Sequence, residues 1–405
     1  MNRISPTPDT VLKESPRIFF AAGPGKVIEA HKNWRRGVQD PSQMSITFSS
    51  EFEQFCQDNG SQSYIVSSGS PASTVSDGAF VVEQRPKKTA DGIWYHLSEI
   101  RYGLSLLATA VKFRADYAVV QSGSTHYFML SLFSLWSIKV VPVLHNTLWP
   151  SGFPPRSFAA RIIGRLDAAF FRWFASCTIG VSPECTRQVD QVTKGKHGPI
   201  LEITPQFESK LFPLQPPPSN RRPFRLLYAG RITREKGVFD LLEIMRQVEQ
   251  KIPGAVTLQI CGDGPELDIL RYKCKQAMLG SIVVIRGRVE PDILRQLLLE
   301  SHAAIVPTRS EFAEGMAMTA IEPVLLGRPV ITSPVVPALE VLRDACVPVT
   351  TDDTSSYASA IIALVQSMDL YNGLVSSCAS LREKFFDRRQ SFQTALKRAI
   401  TEHGA

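Results

Sequence analysis

The sequence lacks the features that mark disulfide-rich, zinc-binding and secreted proteins. Its seven cysteines form no C-x-x-C pair, and their odd number and apolar surroundings predict reduced core thiols. The first 15 residues contain prolines and polar residues but no apolar segment, so we expect no secretory signal. These absences favour a cytoplasmic protein.

The chain also lacks a long apolar run. The nearest candidate, residues 127–144, contains Lys139, Pro142 and three serines, whereas a bilayer span needs about 20 mainly apolar residues. We therefore predict a helix followed by a buried strand in this segment, with a membrane span as the alternative.

What is present is typical of a folded globular protein. Hydrophobic residues make up 44% of the 405 residues and charged residues 20%, which excludes disordered, collagen-like and coiled-coil chains. The net charge of +7 favours an anionic partner, which could be a phosphorylated ligand, an anionic membrane or nucleic acid. Nucleic acid is disfavoured because the basic residues are dispersed and no nucleic-acid-binding signature occurs.

Short apolar runs alternate with longer amphipathic stretches along the chain, which predicts an α/β fold with parallel sheets covered by helices. Consecutive prolines, Pro216 to Pro218, interrupt the pattern and predict a linker at 216–223 between domains at 1–215 and 224–382. We expect two Rossmann-like domains facing each other across a cleft, with ligands at the carboxyl ends of the strands. The predicted strands cover 17–22, 63–67, 117–121, 139–145, 178–181, 200–203, 225–229, 257–261, 282–286, 303–306 and 329–332, and the predicted helices include 126–136, 158–175, 239–250, 266–278, 291–300 and 316–326.

A basic turn follows the first predicted strand of the second half. Gly230-Arg231 and Lys236-Gly237 lie between that strand and a helix, and the glycines permit a tight turn and close approach of the backbone to a ligand. Two cations beside a helix N-terminus suit a diphosphate. The alternative is a solvated basic turn.

Two acids, Glu314 and Glu322, flank the start of the predicted helix 316–326. Eight positions are slightly more than two helical turns, so both carboxylates can face one cleft and accept hydrogen bonds from sugar hydroxyls. The amides of Gly315 and the following residues would form a helix N-terminus that attracts an anion. Glu322 lies in an apolar stretch, where a charge needs a partner that a ligand could supply. The alternative to a binding site is that Glu314 is only an acid at the helix N-terminus and Glu322 only a surface residue.

These motifs, together with the turn Gly262-Asp263-Gly264-Pro265, resemble the donor half of glycosyltransferase family 4 across residues 224–349. The resemblance implies a retaining, nucleotide-sugar-dependent enzyme of the GT-B fold. It implies that Arg231 and Lys236 hold the diphosphate, that Glu314 contacts the transferred sugar, and that Glu322 contacts the ribose. The remaining donor-binding residues that it implies are Gly230, Gly262, Gly264, Arg286, Gly315, Met316, Ala317 and Met318.

The first half resembles the family less specifically. Gly23-Pro24-Gly25 follows the first strand, where the family has a loop near the donor phosphate and the acceptor, and His145 ends another strand beside the expected position of the transferred sugar. A structural histidine is the alternative. The sequence departs from the family at Asn146, where an acid is frequent, at Pro323, where alanine is more frequent, and at residues 205–207. By the same resemblance, the final helix, at 383–400 in a C-terminal segment 383–405, crosses back to the first domain.

Residues 153–174 combine a wide apolar surface with Arg161, Arg165 and Arg172 on one stripe. One interpretation is an interfacial helix that contacts an anionic membrane, which would suit a lipid-linked acceptor. We favour the other, a core helix with an arginine edge, because a wide apolar face is typical of a helix packed on a sheet.

We predict a retaining glycosyltransferase that moves a sugar from a nucleoside-diphosphate sugar to a hydroxyl of a glycan or lipid-linked acceptor, in bacterial polysaccharide or glycolipid synthesis. It would act in the cytoplasm or at the inner face of the plasma membrane. No D-x-D triplet occurs, so we expect no metal or other cofactor. One alternative is a catalytically inactive GT-B protein that binds a nucleotide-sugar or glycan as a regulator or scaffold. Another is a pyridoxal-phosphate-dependent phosphorylase, for which the chain is short and lacks a recognisable cofactor lysine.

Overall fold

The computed structural model describes residues 15–41, 43–88, 90–219 and 222–402. The expectation about a secretory signal therefore falls almost entirely outside the described residues, as do Asn220 and Arg221 of the predicted linker.

The first domain is an α/β unit built on one sheet. Its strands are β1 (Arg17–Ala21), β2 (Gln62–Ser67), β3 (Ser73–Asp77), β4 (Phe80–Gln84), β5 (Tyr117–Gln121), β6 (Lys139–Leu144), β7 (Thr178–Gly180) and β8 (Ile200–Glu202). Its helices are α1 (Val27–Arg35), α2 (Phe48–Asp58), α3 (Gly92–Phe113), α4 (Phe158–Trp173) and α5 (Pro183–Thr193). The strand order is β3-β4-β2-β1-β5-β6-β7-β8, and only the β3–β4 pair is antiparallel.

The second domain repeats this architecture with a fully parallel sheet. Its strands are β9 (Phe224–Ala229), β10 (Val256–Cys261), β11 (Val283–Gly287), β12 (Ala303–Val306), β13 (Val330–Thr332) and β14 (Cys346–Pro348), in the order β11-β10-β9-β12-β13-β14. The helices that follow are α6 (Val238–Lys251), α7 (Leu267–Gln276), α8 (Pro291–Glu300), α9 (Met318–Leu325), α10 (Ala338–Val341), α11 (Thr354–Gln366), α12 (Met368–Leu381) and α13 (Phe392–Thr401). Every residue of β5 and of β12 is buried, as expected for parallel strands with helices on both faces.

Four features of this architecture differ from the sequence prediction. The β3–β4 hairpin and the short strand β14 were not predicted. The segment predicted as a helix at 126–136 is a 3-10 helix, Tyr127–Trp136. The returning helix predicted within 383–405 is shorter, because two 3-10 turns precede α13.

The last described helix, α13, returns to the first domain. The Tyr117 hydroxyl donates to the Ile400 carbonyl at 3.3 Å, and the Gln393 side chain donates to Asp58 at 2.7 Å. Helix α13 thus packs on α2 of the first domain and adds a second connection between the domains.

The linker is fixed to the second domain by a buried arginine. The Arg328 guanidinium donates to the carbonyl oxygens of Gln215 at 2.9 Å and Leu299 at 2.7 Å. Because these carbonyls lie just before the linker and at the end of α8, Arg328 holds the start of the linker against the second domain.

All seven cysteines are buried and free. In the described part of the chain, no single helix is long and apolar enough to cross a bilayer. One pair of helices, Thr354–Gln366 and Met368–Phe385, is together long and apolar enough for a span, but the two helices are bent by 97° relative to each other. Residues 127–144 form the 3-10 helix and then β6, which lies between β5 and β7.

Candidate active site

Two connected cavities lie in the cleft between the domains. The first cavity, of about 330 Å³, opens at the carboxyl ends of β9 and β10 and is lined by Gly230, Arg231 and Glu322. The second cavity, of about 440 Å³, lies against the loop after β1. Gln43 from the first domain and Arg288 from the second line both cavities, so the two form one continuous cleft.

The floor of the first cavity is backbone. A Cβ atom on Gly262 would lie 1.7 Å from the carbonyl oxygen of Gly230, and Gly262 has a φ of 148°. A Cβ atom on Gly264 would lie 2.4 Å from the carbonyl oxygen of Ile232. Neither glycine can carry a side chain here, so the two turns pack directly against each other and leave the cavity open.

The two predicted diphosphate-binding cations occupy different environments. Arg231 lines the first cavity and stacks over Phe312, with its guanidinium carbon 5.3 Å from the ring centre. The Lys236 ammonium lies 4.0 Å from the same ring centre and is bonded to the carboxylate of Glu314. Phe312 therefore holds both cations on one side of the cleft through cation–π contacts.

Glu314 is buried behind the cavity and does not line it. Its carboxylate accepts from Lys236 and, at 3.4 Å, from the Thr308 hydroxyl. In this state Glu314 is thus occupied by protein partners.

The segment after Glu314 is not yet helical, which corrects the predicted helix start at Met316. Ala317 adopts a left-handed conformation with a φ of 61°, and α9 begins at Met318. The amides of Gly315 and Met316 thus precede the helix N-terminus. Gly315 instead forms the contact between the domains, since a Cβ atom there would lie 1.7 Å from the carbonyl oxygen of His145.

Glu322 is an isolated carboxyl group on α9 at the wall of the first cavity. The residue is only 7% exposed, and burial raises its pKa to about 8. Among the described residues we find no hydrogen-bond or ion-pair partner for it. Pro323 follows within the helix and removes the amide that would bond to the carbonyl of Thr319, and Thr319 also lines the cavity.

His145 lies at the end of β6, on the opposite side of the contact with Gly315. Its backbone amide donates to the Ser122 hydroxyl oxygen at 3.0 Å, and its ring packs on Phe48. Among the described residues the buried Nε2 atom has no hydrogen-bond partner, and burial lowers the pKa of His145 to about 4. The imidazole is therefore neutral near pH 7, and it lines neither cavity of the cleft.

The loop predicted to lie near phosphate and acceptor borders the second cavity. Pro24, Gly25 and Lys26 line it, and Gly23 has a φ of 66° that suits glycine. The Gly25 carbonyl accepts from the Ser67 hydroxyl at 2.9 Å.

One predicted donor-site residue lies elsewhere. The Arg286 side chain bonds to Gln259 on the neighbouring strand and does not line the first cavity. The arginine near this strand end that does line the cavity is Arg288, just after β11. Sequence reasoning chose the last residue of the predicted strand, whereas β11 continues to Gly287 and the cavity begins with the next residue.

Several further lining residues were not predicted, among them Gln43, Met44 and Thr319. Gln43 and Met44 come from the loop between α1 and α2 of the first domain, and Thr319 lies in the first turn of α9. The loop residues carry no periodicity or motif that would indicate their position. Thr319 lies between Glu314 and Glu322 in the sequence and could have been found from that motif.

Comparison with known proteins agrees with this arrangement. Residues 214–376 match the family model "Glycosyl transferases group 1". A glycogen synthase of Mycobacterium tuberculosis is 24% identical over 245 residues, which are 58% of this chain and 56% of that protein. The chain thus matches little more than half the length of this curated relative.

Two solved structures cover nearly the whole chain. Sucrose-phosphate synthase from Thermosynechococcus elongatus superposes with a TM-score of 0.69 at 16% identity, over 96% of this chain and 98% of that one. The Anabaena protein HepE in complex with UDP gives a TM-score of 0.65 at 15% identity, over 96% and 100%. The chain has the two-domain GT-B fold of these proteins, as the sequence predicted.

Proposed function

We propose, on the premise that residues 214–376 form a glycosyl transferases group 1 domain, that the protein is a retaining glycosyltransferase. It would move a sugar from a nucleoside-diphosphate sugar to a hydroxyl of a glycan or lipid-linked acceptor. A uridine nucleotide is the first donor to test, because the similar HepE structure contains UDP. Synthesis of a bacterial polysaccharide or glycolipid would supply such an acceptor.

The observation that carries this proposal is the pairing of Arg231 and Glu322 on one cavity. Arg231 offers a charge-assisted donor for a phosphate, and the unpartnered Glu322 carboxyl offers acceptors for a ribose diol. A buried carboxyl group without a partner is costly. A nucleotide that uses both residues offsets that cost, which a purely structural role does not explain.

The chemical step requires a nucleoside diphosphate to leave while positive charge develops on the anomeric carbon. Arg231 and Lys236 would stabilise the leaving charge as preorganised cations. Glu314 would accept from a hydroxyl of the transferred sugar, which requires the Lys236–Glu314 pair to open or to share its bonds with the substrate. The acceptor hydroxyl would lose its proton to the leaving phosphate on the same face, so no protein nucleophile is assigned.

His145 would act as a neutral group. Burial holds its pKa at about 4, so near pH 7 the imidazole can donate or accept a hydrogen bond but carries no charge. Among the described residues its buried Nε2 atom has no partner, and it lines neither cavity, so a bond to a hydroxyl of the bound sugar would require the cleft to rearrange when the donor binds. The amides near Gly315, held against His145, would border the same sugar.

The test is release of nucleoside diphosphate from UDP-glucose, GDP-mannose and ADP-glucose, with and without a lipid extract as acceptor source. We expect one donor to be used, with Arg231→Ala reducing turnover about 100-fold or more. Turnover is expected to persist in EDTA, because we assign no metal. Release from none of the donors would favour a binding or scaffold protein instead.

We also propose that the enzyme works at the inner face of an anionic membrane, through residues 153–174. Helix α4 exposes Phe158 (79%) and Trp173 (67%) to solvent, which a core helix would not do. Residues 153–174 contain four arginines and one acid, Asp167, and burial raises the pKa of that acid to about 7. Apolar and cationic groups on one surface suit anionic phospholipid.

Co-sedimentation with vesicles tests this contact. The protein is expected to bind vesicles that contain phosphatidylglycerol and not vesicles of pure phosphatidylcholine. The double variant Phe158→Ser/Trp173→Ser is expected to lose this binding. Met278→Ser is the matched control, because Met278 is equally exposed but lies on the second domain. Equal binding by the double variant and the control would contradict the assignment.

A further inference from the structure

A third cavity, of about 330 Å³, extends the cleft into the first domain. It lies between α1, α2 and the returning C-terminal segment. Ala30, Asp40 and Thr47 line both this cavity and the second one. Together with Gln43 and Arg288 between the first and second cavities, this gives three cavities in an unbroken row.

The lining of the third cavity has the chemistry that recognises carbohydrate. Trp34 contributes an aromatic side chain, and Gln39 and Gln54 contribute amides. Glu51 contributes a carboxyl group, and Ser45 and Ser50 contribute hydroxyls. An aromatic surface with amide and carboxylate groups around it can pack on a sugar ring and bond to its hydroxyls.

Glu51 indicates that this cavity is a binding site. The residue is 3% exposed, yet among the described residues neither carboxylate oxygen has a partner at full hydrogen-bond geometry. The Arg388 guanidinium lies 3.8 Å away, and it, the first amides of α13 and the Ser391 hydroxyl lower the pKa of Glu51, but burial outweighs them and raises that pKa to about 7. The buried Gln39 Nε2 atom has no partner in the described part of the chain. A carboxyl group that is only weakly partnered and an unpartnered amide donor thus line the same cavity.

We propose that the third cavity binds a sugar unit of the acceptor, which is therefore an oligosaccharide or longer glycan rather than a monosaccharide. This proposal rests on the glycosyltransferase function proposed above. The reacting sugar occupies the second cavity beside Gly25, and the adjoining sugar unit bonds to Glu51 and Gln39 and packs on Trp34. Glu51 and Gln39 determine acceptor length and take no part in donor binding.

The experiment is a saturation-transfer NMR titration in the presence of UDP. The probes are cellobiose, chitobiose and maltotriose, each compared with glucose or N-acetylglucosamine. Wild type is expected to bind at least one oligosaccharide more tightly than its monosaccharide. Glu51→Gln and Gln39→Ala are each expected to weaken that binding about five- to tenfold, as for a lost hydrogen bond, with UDP affinity unchanged.

Gln57→Ala is the matched control, because Gln57 is exposed on the same helix and does not line the cavity. Trp34→Leu tests the aromatic contact, and circular dichroism checks the fold of this variant because Trp34 also packs on Phe80.

Equal affinity for oligosaccharide in wild type and Glu51→Gln, or no preference over the monosaccharides, would overturn the proposal while UDP binding remains. If none of UDP, GDP and ADP binds to wild type, both proposals are overturned.

Discussion

The backbones of Gly315 and His145 meet at a contact between the two domains. A Cβ atom on Gly315 would lie 1.7 Å from the carbonyl oxygen of His145, a distance that no side chain tolerates. The segment that leads into α9 and the strand end that carries His145 therefore meet backbone to backbone. This contact fixes the width of the cleft in which the cavities lie.

Gly315→Ala is expected to separate the domains. The methyl group cannot be accommodated without moving the His145 backbone, and overpacking of this kind costs about 1–3 kcal/mol. We expect a larger radius of gyration in small-angle scattering and loss of sugar transfer. Gly373→Ala, where a Cβ atom meets nothing within 4 Å, is the control and is expected to leave both unchanged. An active, equally compact Gly315→Ala variant would contradict the contact.

The Lys236–Glu314 pair is expected to behave as a coupled, largely buried ion pair. Lys236→Met leaves the Glu314 carboxylate without its cation and is expected to lower the free energy of unfolding by about 2–4 kcal/mol. Adding Glu314→Gln is expected to recover part of that loss, which urea unfolding of the single and double variants measures. Arg246→Met, which breaks the exposed pair with Glu243, is the control and is expected to cost about 0–1 kcal/mol. Additive effects of the two substitutions would show that the pair is not coupled.

Glu322 is expected to make nucleotide binding depend on pH. Its pKa is raised to about 8 from an ordinary value of 4.5, so near pH 7 most of the carboxyl groups are protonated. Ribose hydroxyls that donate to the carboxylate favour the ionised form, so UDP binding releases a proton and tightens from pH 6 to pH 8. Titration calorimetry in buffers of different ionisation enthalpy measures the proton release.

The same shift predicts how stability varies without nucleotide. Because the folded state holds the proton more tightly than the unfolded state, the stability that Glu322 contributes is complete below pH 4.5 and is lost as pH rises through about 8. Glu322→Gln removes this dependence and the proton release on UDP binding. Proton release by Glu322→Gln equal to that of wild type would assign the titration to another group.

Arg288 and Arg286 offer a matched pair for testing the first cavity. Arg288 lines it, whereas Arg286 is bonded to Gln259 on the sheet. Arg288→Ala is expected to weaken UDP binding about tenfold, as for a lost hydrogen bond to a charged group, and Arg286→Ala to leave it within about twofold. The reverse order would support Arg286 as the donor-site residue instead.

The fold could be predicted from sequence wherever strands are buried on both faces. β5 and β12 are continuous apolar runs, and their positions follow directly from that pattern. β3 could not be found in this way, because it is an edge strand with mainly exposed polar residues. β14 has three residues, too few to show a pattern.

The residues of the candidate site also divide into those that could be predicted from the sequence and those that could not. Motifs local to one turn, such as Gly230-Arg231, could be located because strand, turn and helix follow each other in sequence. Gln43 and Met44 could not, since they reach the cavity only through the packing of one domain on the other. The left-handed Ala317 that delays α9 is also hidden in the sequence, because alanine usually favours a helix.

The most direct test of the central claim is a thermal-shift panel of UDP, GDP and ADP and their sugars on wild type, Arg231→Ala and Glu322→Ala. A ligand that binds only the folded state raises the melting temperature by mass action. The account predicts that one nucleotide stabilises wild type and that both variants lose this stabilisation while remaining folded. If no nucleotide stabilises wild type at millimolar concentration, or if both variants respond as wild type does, the first cavity is not the donor site.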